Sequence, residues 1–484
     1  MPRAGDVVLT SSGRELRLRS VLGRGGQGAV FLTDDERRAV KVCWNQRDAA
    51  QWQSRIERAA FLTHEQVNYP GLRRFVLPRE LLLPPWLGYE MPLLPSAQSI
   101  SELVQLPREQ PEDWYVATGG LKRRLGIAVR TSRALSALHA AGFVFGDLSA
   151  SNVLTTSDKQ HSTIRVIDCD NIEVAGSPGS GVYGTPGYWA PELAARRMRP
   201  DATTDDHSLA VLLHELVYLT HPLRGDSLLD EDPDEAEARV ERGELPWVFA
   251  PSDESNGTRA GLPPELAASA DTTLFQRFRE AFGPGLRDRT RRPTAAALGE
   301  AAERLLRLCL TCPCCAATQL YRKQRECPWC GEVLAAPLLL LIEPDANAAE
   351  FCDLREARAV VDRARKLPEM SQAAQAGKAP ATAQGFRYRN CVVEDGLVLT
   401  DTLLRPWRPG IADESPLARL KLKEDGKDGV ELQVERDCGL LLNGSALLAG
   451  VTVRLRGADS LLLPGERGEP SCRLRLIRPR RGEP

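Results

Sequence analysis

The segment Gly142-Phe143-Val144-Phe145-Gly146-Asp147-Leu148-Ser149-Ala150-Ser151-Asn152-Val153-Leu154 constrains this chain more than any other. An apolar run ends in an aspartate, an asparagine follows five residues later, and an apolar run resumes. That pattern reads as strand, loop, strand, with both polar side chains carried on the loop. Further along, Val166-Ile167 leads into a second acid in Asp168-Cys169-Asp170. Asn152 and Asp168 offer hard oxygen atoms of the kind a Mg²⁺ ion takes, with water completing its octahedron. A simple Asx turn is the plainer reading of Asp147 taken alone.

Upstream lies Gly23-Arg24-Gly25-Gly26-Gln27-Gly28-Ala29-Val30, a G-x-G-x-x-G-x-V run between segments of alternating apolar residues. Glycines at Gly23, Gly25 and Gly28 let backbone N–H groups approach phosphate oxygens closely. A dinucleotide-binding turn would need a helix directly after the loop, and here a strand-like segment follows. Ala39-Val40-Lys41-Val42 comes next. Fourteen arginines and a single lysine, Lys41, precede Lys122. An exposed strand lysine is the plainer reading of Lys41, and the arginine bias around it argues against that, since a compact ammonium does different work from a guanidinium.

The segments Glu15–Leu22, Ala29–Thr33 and Arg38–Trp44 predict three antiparallel strands, and 48–64 and 121–141 predict helices. Strands and loops return over 143–173, and helical patterns follow over 192–310, interrupted by a polar, acidic stretch at 225–262. The coarse outline is a small β-rich lobe followed by a larger α-rich one.

Within the second lobe, Gly184-Thr185-Pro186-Gly187-Tyr188-Trp189-Ala190-Pro191-Glu192 approaches G-T-x-x-Y-x-A-P-E. Asp205 opens a helical pattern, and Arg292-Pro293-Thr294 lies near the lobe's end. With these segments in order, residues 15–310 resemble the eukaryotic-type (Hanks-type) bacterial Ser/Thr protein kinases. The resemblance implies a bilobal fold that binds ATP and Mg²⁺ and transfers the γ-phosphate to a protein hydroxyl. It implies Gly23, Gly25, Gly28 and Val30 over the nucleotide and Lys41 on its α- and β-phosphates. Glu57 would pair with Lys41, with Glu65 as the alternative. Asp147 would receive the substrate hydroxyl proton, and Asn152 and Asp168 would hold Mg²⁺. Asp205 would be a buried aspartate at the start of a central helix, and Glu192–Arg292 a structural ion pair.

The sequence departs from that family at Phe145-Gly146, where His-Arg usually stands, at Ser149, usually a lysine, and at Cys169, usually a phenylalanine. Without the arginine, activity is expected not to depend on loop phosphorylation. Without the lysine, a positive charge near the transferred phosphoryl group is lost. Phe145 and Cys169 exchange a large side chain for a small one across one packing position. Gly-Asp-Leu before Asn, together with D-x-D, also echoes small-molecule phosphotransferases, which lack the Tyr-Trp-Ala-Pro-Glu segment. A nucleotide-binding pseudokinase scaffold is the other alternative.

Six of the twelve cysteines fall between Cys309 and Cys330. Cys312-Pro313-Cys314-Cys315 and Cys327-Pro328-Trp329-Cys330 form two C-P-x-C turns, each able to grip one face of a tetrahedral Zn²⁺. Cys309-x-x-Cys312 is an alternative register. The predicted structural zinc ribbon covers 311–335, and a connector rich in Ala, Gln and Gly covers 336–384. An all-β domain is predicted at 385–481, where Leu442-Asn443-Gly444 marks a hairpin turn. Its strand–turn rhythm resembles a forkhead-associated sandwich; Ala418 stands where that family's phosphothreonine-reading histidine would follow Ser415.

The Gly-Asp-Leu loop, the D-x-D and the ribbon together resemble kinases of phosphorylation triads. That resemblance implies a PP2C-type phosphatase and a von Willebrand factor A-type protein as partners. A net charge of −2 gives no support for nucleic-acid binding. Leu334–Ile342, the longest apolar run, is far too short to span a bilayer, so the expectation is a cytoplasmic protein without membrane contact.

Overall fold

The computed structural model describes residues 2–26, 28–44, 49–107, 109–175, 184–195, 198–229, 231–257, 272–321, 326–335, 337–344, 389–394, 396–404, 416–422, 430–455, 459–463 and 472–477. It divides into two compact units, Met1–Leu306 and Arg307–Pro484.

The first unit opens with a six-stranded sheet ordered β1-β2-β3-β4-β6-β5. Its strands are β1 (Val7–Leu9), β2 (Glu15–Arg24), β3 (Gly28–Thr33), β4 (Arg38–Cys43), β5 (Glu80–Leu81) and β6 (Gly88–Pro92). Alternation in β2 buries Leu16 and Leu18, which join Phe31, Val40 and Val42 in the small lobe's core. Gly28 is fixed by close approach, because a Cβ there would stand 2.3 Å from the Val42 carbonyl oxygen. The three expected strands are β2, β3 and β4. The sheet also recruits β1, so the unit begins before residue 15.

Helix α1 (Ala49–Glu65) packs against this sheet and against the short turn Cys169–Asn171. The large lobe is organised by α2 (Gly120–Ala140) and α3 (Ala202–Tyr218), with α4 (Pro233–Glu241), α5 (Thr273–Phe282) and α6 (Ala295–Leu306) around them. Asp201 caps α3 by accepting from the Thr203 and Thr204 amides, while its own amide donates to the Thr204 hydroxyl. His214 on α3 lies buried among Trp247, Phe278 and Phe282, accepting from the Trp247 indole and facing the Thr220 carbonyl. Burial pushes its pKa down to about 3, so it packs as a neutral ring.

Between the lobes run β7 (Ala97–Ser99), β8 (Phe143–Val144), β9 (Val153–Thr156), β10 (Ile164–Val166) and β11 (Glu173–Val174). β9 pairs with β7 and β10, and β8 pairs with β11. Asp147 and Asn152 therefore sit on the loop between β8 and β9, and Asp168 just beyond β10.

The second unit begins with the hairpin of β12 (Cys309–Thr311) and β13 (Thr318–Leu320). Two sheets follow. One, ordered β15-β14-β23-β22-β19-β20, contains β14 (Leu338–Pro344), β15 (Arg389–Val393), β19 (Leu441–Leu442), β20 (Ser445–Ala446), β22 (Leu461–Leu463) and β23 (Cys472–Ile477). The other, β16-β17-β18-β21, contains β16 (Leu397–Thr400), β17 (Pro416–Leu422), β18 (Val430–Val434) and β21 (Thr452–Leu455). Their facing residues, among them Leu340, Leu399, Leu420, Leu432, Leu463 and Leu474, form one core.

Two expected boundaries change. Residues 336–384 are not simply a connector, because β14 is hydrogen-bonded to both β15 and β23. Leu340 and Ile342 of β14 join the core, and Leu339 on its other face is buried as well. The hairpin that carries the first cysteine turn also starts at Cys309, ahead of residue 311. The stretch Ser371–Gln384 and Ser415 lie outside the described residues.

Candidate nucleotide and metal site

The β8–β9 loop is anchored from below by α3. Asp205 is buried, and its carboxylate accepts from the Phe145 amide at 2.7 Å, the Gly146 amide at 2.8 Å and His139 Nε2 at 3.0 Å. Burial works against a charged His139, but the Asp205 hydrogen bond and charge win and raise its pKa. Gly146 has φ +77°, a left-handed conformation that explains the glycine immediately before Asp147. Phe145 is fully buried against Phe75, and Cys169 is fully buried as well. The large-for-small exchange thus falls at two closed positions.

Asp147 receives hydrogen bonds from the Thr185 hydroxyl at 2.8 Å and the Asn171 amide at 3.3 Å. Burial raises its pKa, the Thr185 hydroxyl opposes this, and the nearby Asp168 charge adds to it, leaving it at about 6. The Asn152 amide nitrogen donates to the Asp147 carbonyl at 2.8 Å, which aims its side-chain oxygen elsewhere. Ser149 is buried, with its hydroxyl 2.8 Å from that of Ser151.

Lys41 projects from β4 and is only 4% exposed. Its Nζ lies 3.0 and 2.9 Å from the two Asp170 oxygens and 3.1 Å from Asp168 Oδ1. Asp170 is fully buried, whereas the Asp168 side chain is 38% exposed. Burial pulls the lysine pKa down, but the two aspartates more than reverse this and hold it charged. The expected Glu57 partner is not there. Glu57 faces solvent and accepts from Gln53 one turn back, and Glu65 accepts from Asn68. The inward face of α1 instead carries Arg55, Ile56, Ala59 and Leu62.

Asp170 and Asn171 were visible in the sequence as the tail of the acidic segment, but nothing there assigned them to Lys41 or Asp147. Gly23, Gly25 and Val30 sit on the β2–β3 hairpin above this cleft, with Gly28 at the start of β3. The Gly25 amide donates to the Gly28 carbonyl, and the Gly25 carbonyl accepts from the Trp44 indole.

Residues 121–256 match the family model described as the protein kinase domain. The match assigns a protein-kinase-like fold to this part of the chain. Relatives of this domain include the serine/threonine-protein kinase PknA of Mycobacterium tuberculosis, 28% identical over 240 residues, covering 47% of this chain and 51% of PknA. PknG of Mycobacterium leprae is 34% identical over 103 residues, covering 21% of this chain and 13% of PknG. The chain thus spans about half or less of the curated relatives it matches. A solved structure of vaccinia related kinase 3 aligns with 63% of the chain at 18% identity and a TM-score of 0.45. Near the end of the first unit, Arg292 forks onto Glu192, Nη1–Oε1 2.6 Å and Nη2–Oε2 2.8 Å, as the sequence predicts.

In the second unit, the Sγ atoms of Cys312, Cys315, Cys327 and Cys330 lie within 4.8 Å of one another. The Cys312–Cys330 and Cys315–Cys327 separations are both 3.7 Å. Four ligands about 2.3 Å from a tetrahedral zinc would be about 3.8 Å apart, so the spacing is compatible with that ion. Both turns share one geometry. Cys312 and Cys327 accept from the amides of Ala316 and Gly331, each at positive φ, and donate to the carbonyls of Ala317 and Glu332. Cys309 is buried and not part of the cluster, so the first turn contributes Cys312 and Cys315 rather than Cys309 and Cys312. Among the described residues no helix is long and apolar enough to cross a membrane.

Proposed function

We propose that the protein is an ATP- and Mg²⁺-dependent serine/threonine protein kinase of bacterial signalling. The carrying observation is the convergence of Lys41, Asp147 and Asp168, with Asn152, on one cleft from separate parts of the chain. In this reading the substrate hydroxyl oxygen attacks the γ-phosphorus, and the bond to the β–γ bridging oxygen breaks. ADP leaves, and the hydroxyl proton passes to Asp147. A carboxyl poised near 6 is ionised at neutral pH yet basic enough for that proton. Thr185 and Asn171 hold the carboxylate in place.

Asp168, half open to the cleft, and the side-chain oxygen of Asn152 are hard donors that suit Mg²⁺, which would neutralise phosphate charge. Lys41 supplies the fixed positive charge opposite. The glycine hairpin covers the nucleotide through Gly23, Gly25 and Gly28, with Val30 beneath.

Ser149 favours a second reading, a nucleotide-binding scaffold, because a buried hydroxyl replaces the usual cation beside Asp147. Incubation with labelled ATP and Mg²⁺, with and without a generic protein substrate, separates the two. Label transfer abolished by Asp168→Ala supports the kinase. ATP binding without transfer under any condition supports the scaffold, and transfer to small hydroxyl compounds alone supports a small-molecule phosphotransferase.

The four-thiol cluster is read as one structural Zn²⁺ site, supported by its spacing and paired turns. The sandwich is read as a forkhead-associated-like interaction module. The Asn443-Gly444 turn supports this, with Asn443 bonded to Asp459 and Ser460. A PP2C-type phosphatase and a von Willebrand factor A-type protein fit as partners through the sequence resemblance alone.

A further inference from the structure

The Lys41 ammonium has three N–H donors. Two are directed at the two oxygens of Asp170 and one at Asp168. The two acids differ in what else they can do. Asp170 is sealed from solvent, and both its oxygens lie on the lysine. Asp168 is open to the cleft and offers only one oxygen to Lys41. Asp170 sits in the turn Cys169–Asn171 on which α1 packs, the side from which a helix glutamate would otherwise reach Lys41. The buried residues of α1, Arg55, Ile56, Ala59 and Leu62, include no acid, and Glu57 points to solvent. The neighbours of the pair feel the Asp170 charge. After burial, it is the largest contributor raising the pKa of the Cys43 and Cys169 thiols and the Tyr89 phenol, so these groups remain neutral around it.

We propose that Asp170 is the positioning residue for Lys41, doing from within the metal-binding turn what a glutamate on the neighbouring helix would do. The inference rests on the kinase reading for its catalytic consequence and on the buried ion pair for its structural one. When nucleotide and metal occupy the cleft, the donor now shared with Asp168 is the one free to turn to a phosphate oxygen. Asp170 keeps the other two. Lys41 and the metal-binding aspartate are then set by one rigid turn, so seating the lysine requires no inward movement of α1.

The test is a comparison of Asp170→Asn, Glu57→Ala and Lys41→Met, alone and combined. Asp170→Asn keeps the shape of the side chain but weakens its grip, and kcat/KM for ATP is expected to fall about a hundredfold, the cost of a misplaced catalytic group. Glu57→Ala is expected to stay within about twofold of wild type, as exposed substitutions do. Asp170→Asn added to Lys41→Met should cause no further loss of activity, because the two act as a unit.

Nucleotide-free protein supplies an independent readout. Lys41→Met strands a buried carboxylate and should lower the melting temperature, and adding Asp170→Asn should recover much of that loss. A Glu57→Ala variant that loses activity while Asp170→Asn stays within twofold of wild type overturns the proposal. So does a double variant no more stable than Lys41→Met. If wild type transfers no phosphate, the kinase reading fails by itself. The pairing is then decided by the melting cycle and by affinity for a fluorescent ATP analogue, which Asp170→Asn must weaken and Glu57→Ala must not.

Discussion

Removing the Arg292 guanidinium is expected to cost more stability than any single surface change in the kinase unit. The side chain is 2% exposed and makes four hydrogen bonds: two to the Glu192 carboxylate, one to the Gly285 carbonyl and one to the Thr203 carbonyl. Arg292→Met keeps much of the volume but leaves Glu192, itself only 16% exposed, without its cation. Breaking one side of such a buried pair costs about 3–5 kcal/mol. At about 2–4 °C per kcal/mol for a large domain, the melting temperature of the first unit should fall on the order of 10 °C. Arg292→Lys should fall between, because an ammonium cannot fork onto both carboxylate oxygens. Differential scanning calorimetry of the full chain, with the two units' transitions followed separately, measures this. A shift below about 2 °C would mean the pair contributes no more than an exposed salt bridge, and the reasoning would be wrong.

Two further outcomes follow from the sites. Phosphate transfer, read as kcat/KM against pH, should be flat near neutrality and fall about tenfold per unit below about pH 6, as Asp147 takes up the proton that disables it as a base; a limb near 4 instead would show the carboxyl unperturbed. Metal analysis of purified protein should find one zinc per chain, lost with Cys312→Ser or Cys327→Ser along with stability of the second unit; a metal-free chain of unchanged stability would rule the ion out.

Much of the first unit was legible because a nucleotide and metal site of the proposed kind needs side chains at fixed offsets along the chain. Asp147 with Asn152, and the glycines before Lys41, are such local arrangements. Glu192–Arg292 could be read as well, since each member lies in a distinctive segment of its own. The partner of Lys41 could not be read. Glu57 stands at a plausible distance in sequence, but helix rotation decides which side chains turn inward, and the apolar stripe Ile56, Ala59 and Leu62 points Glu57 away. Asp170 carried no distance signal, because it meets Lys41 only after the two lobes close around the turn. β14 was lost for a different reason: its unbroken run of leucines shows no alternation, and its partners lie far along the sequence. The cysteine turns were legible to the residue, since two thiols on one tight turn are local geometry.

The placement of β14 beside β23 has a consequence for how such a module travels. Leu339 is paired with Ile477, so the sandwich's first strand begins where its last one ends. The backbone arrives and departs at neighbouring points on one sheet. Joining those points to another protein would ask little loop-closure entropy of the host, which is the property of a cassette that can be grafted whole. The same arrangement makes the final strand a keystone: a chain cut before Cys472 would strip β14 and β22 of a shared neighbour and unzip the sheet from its middle.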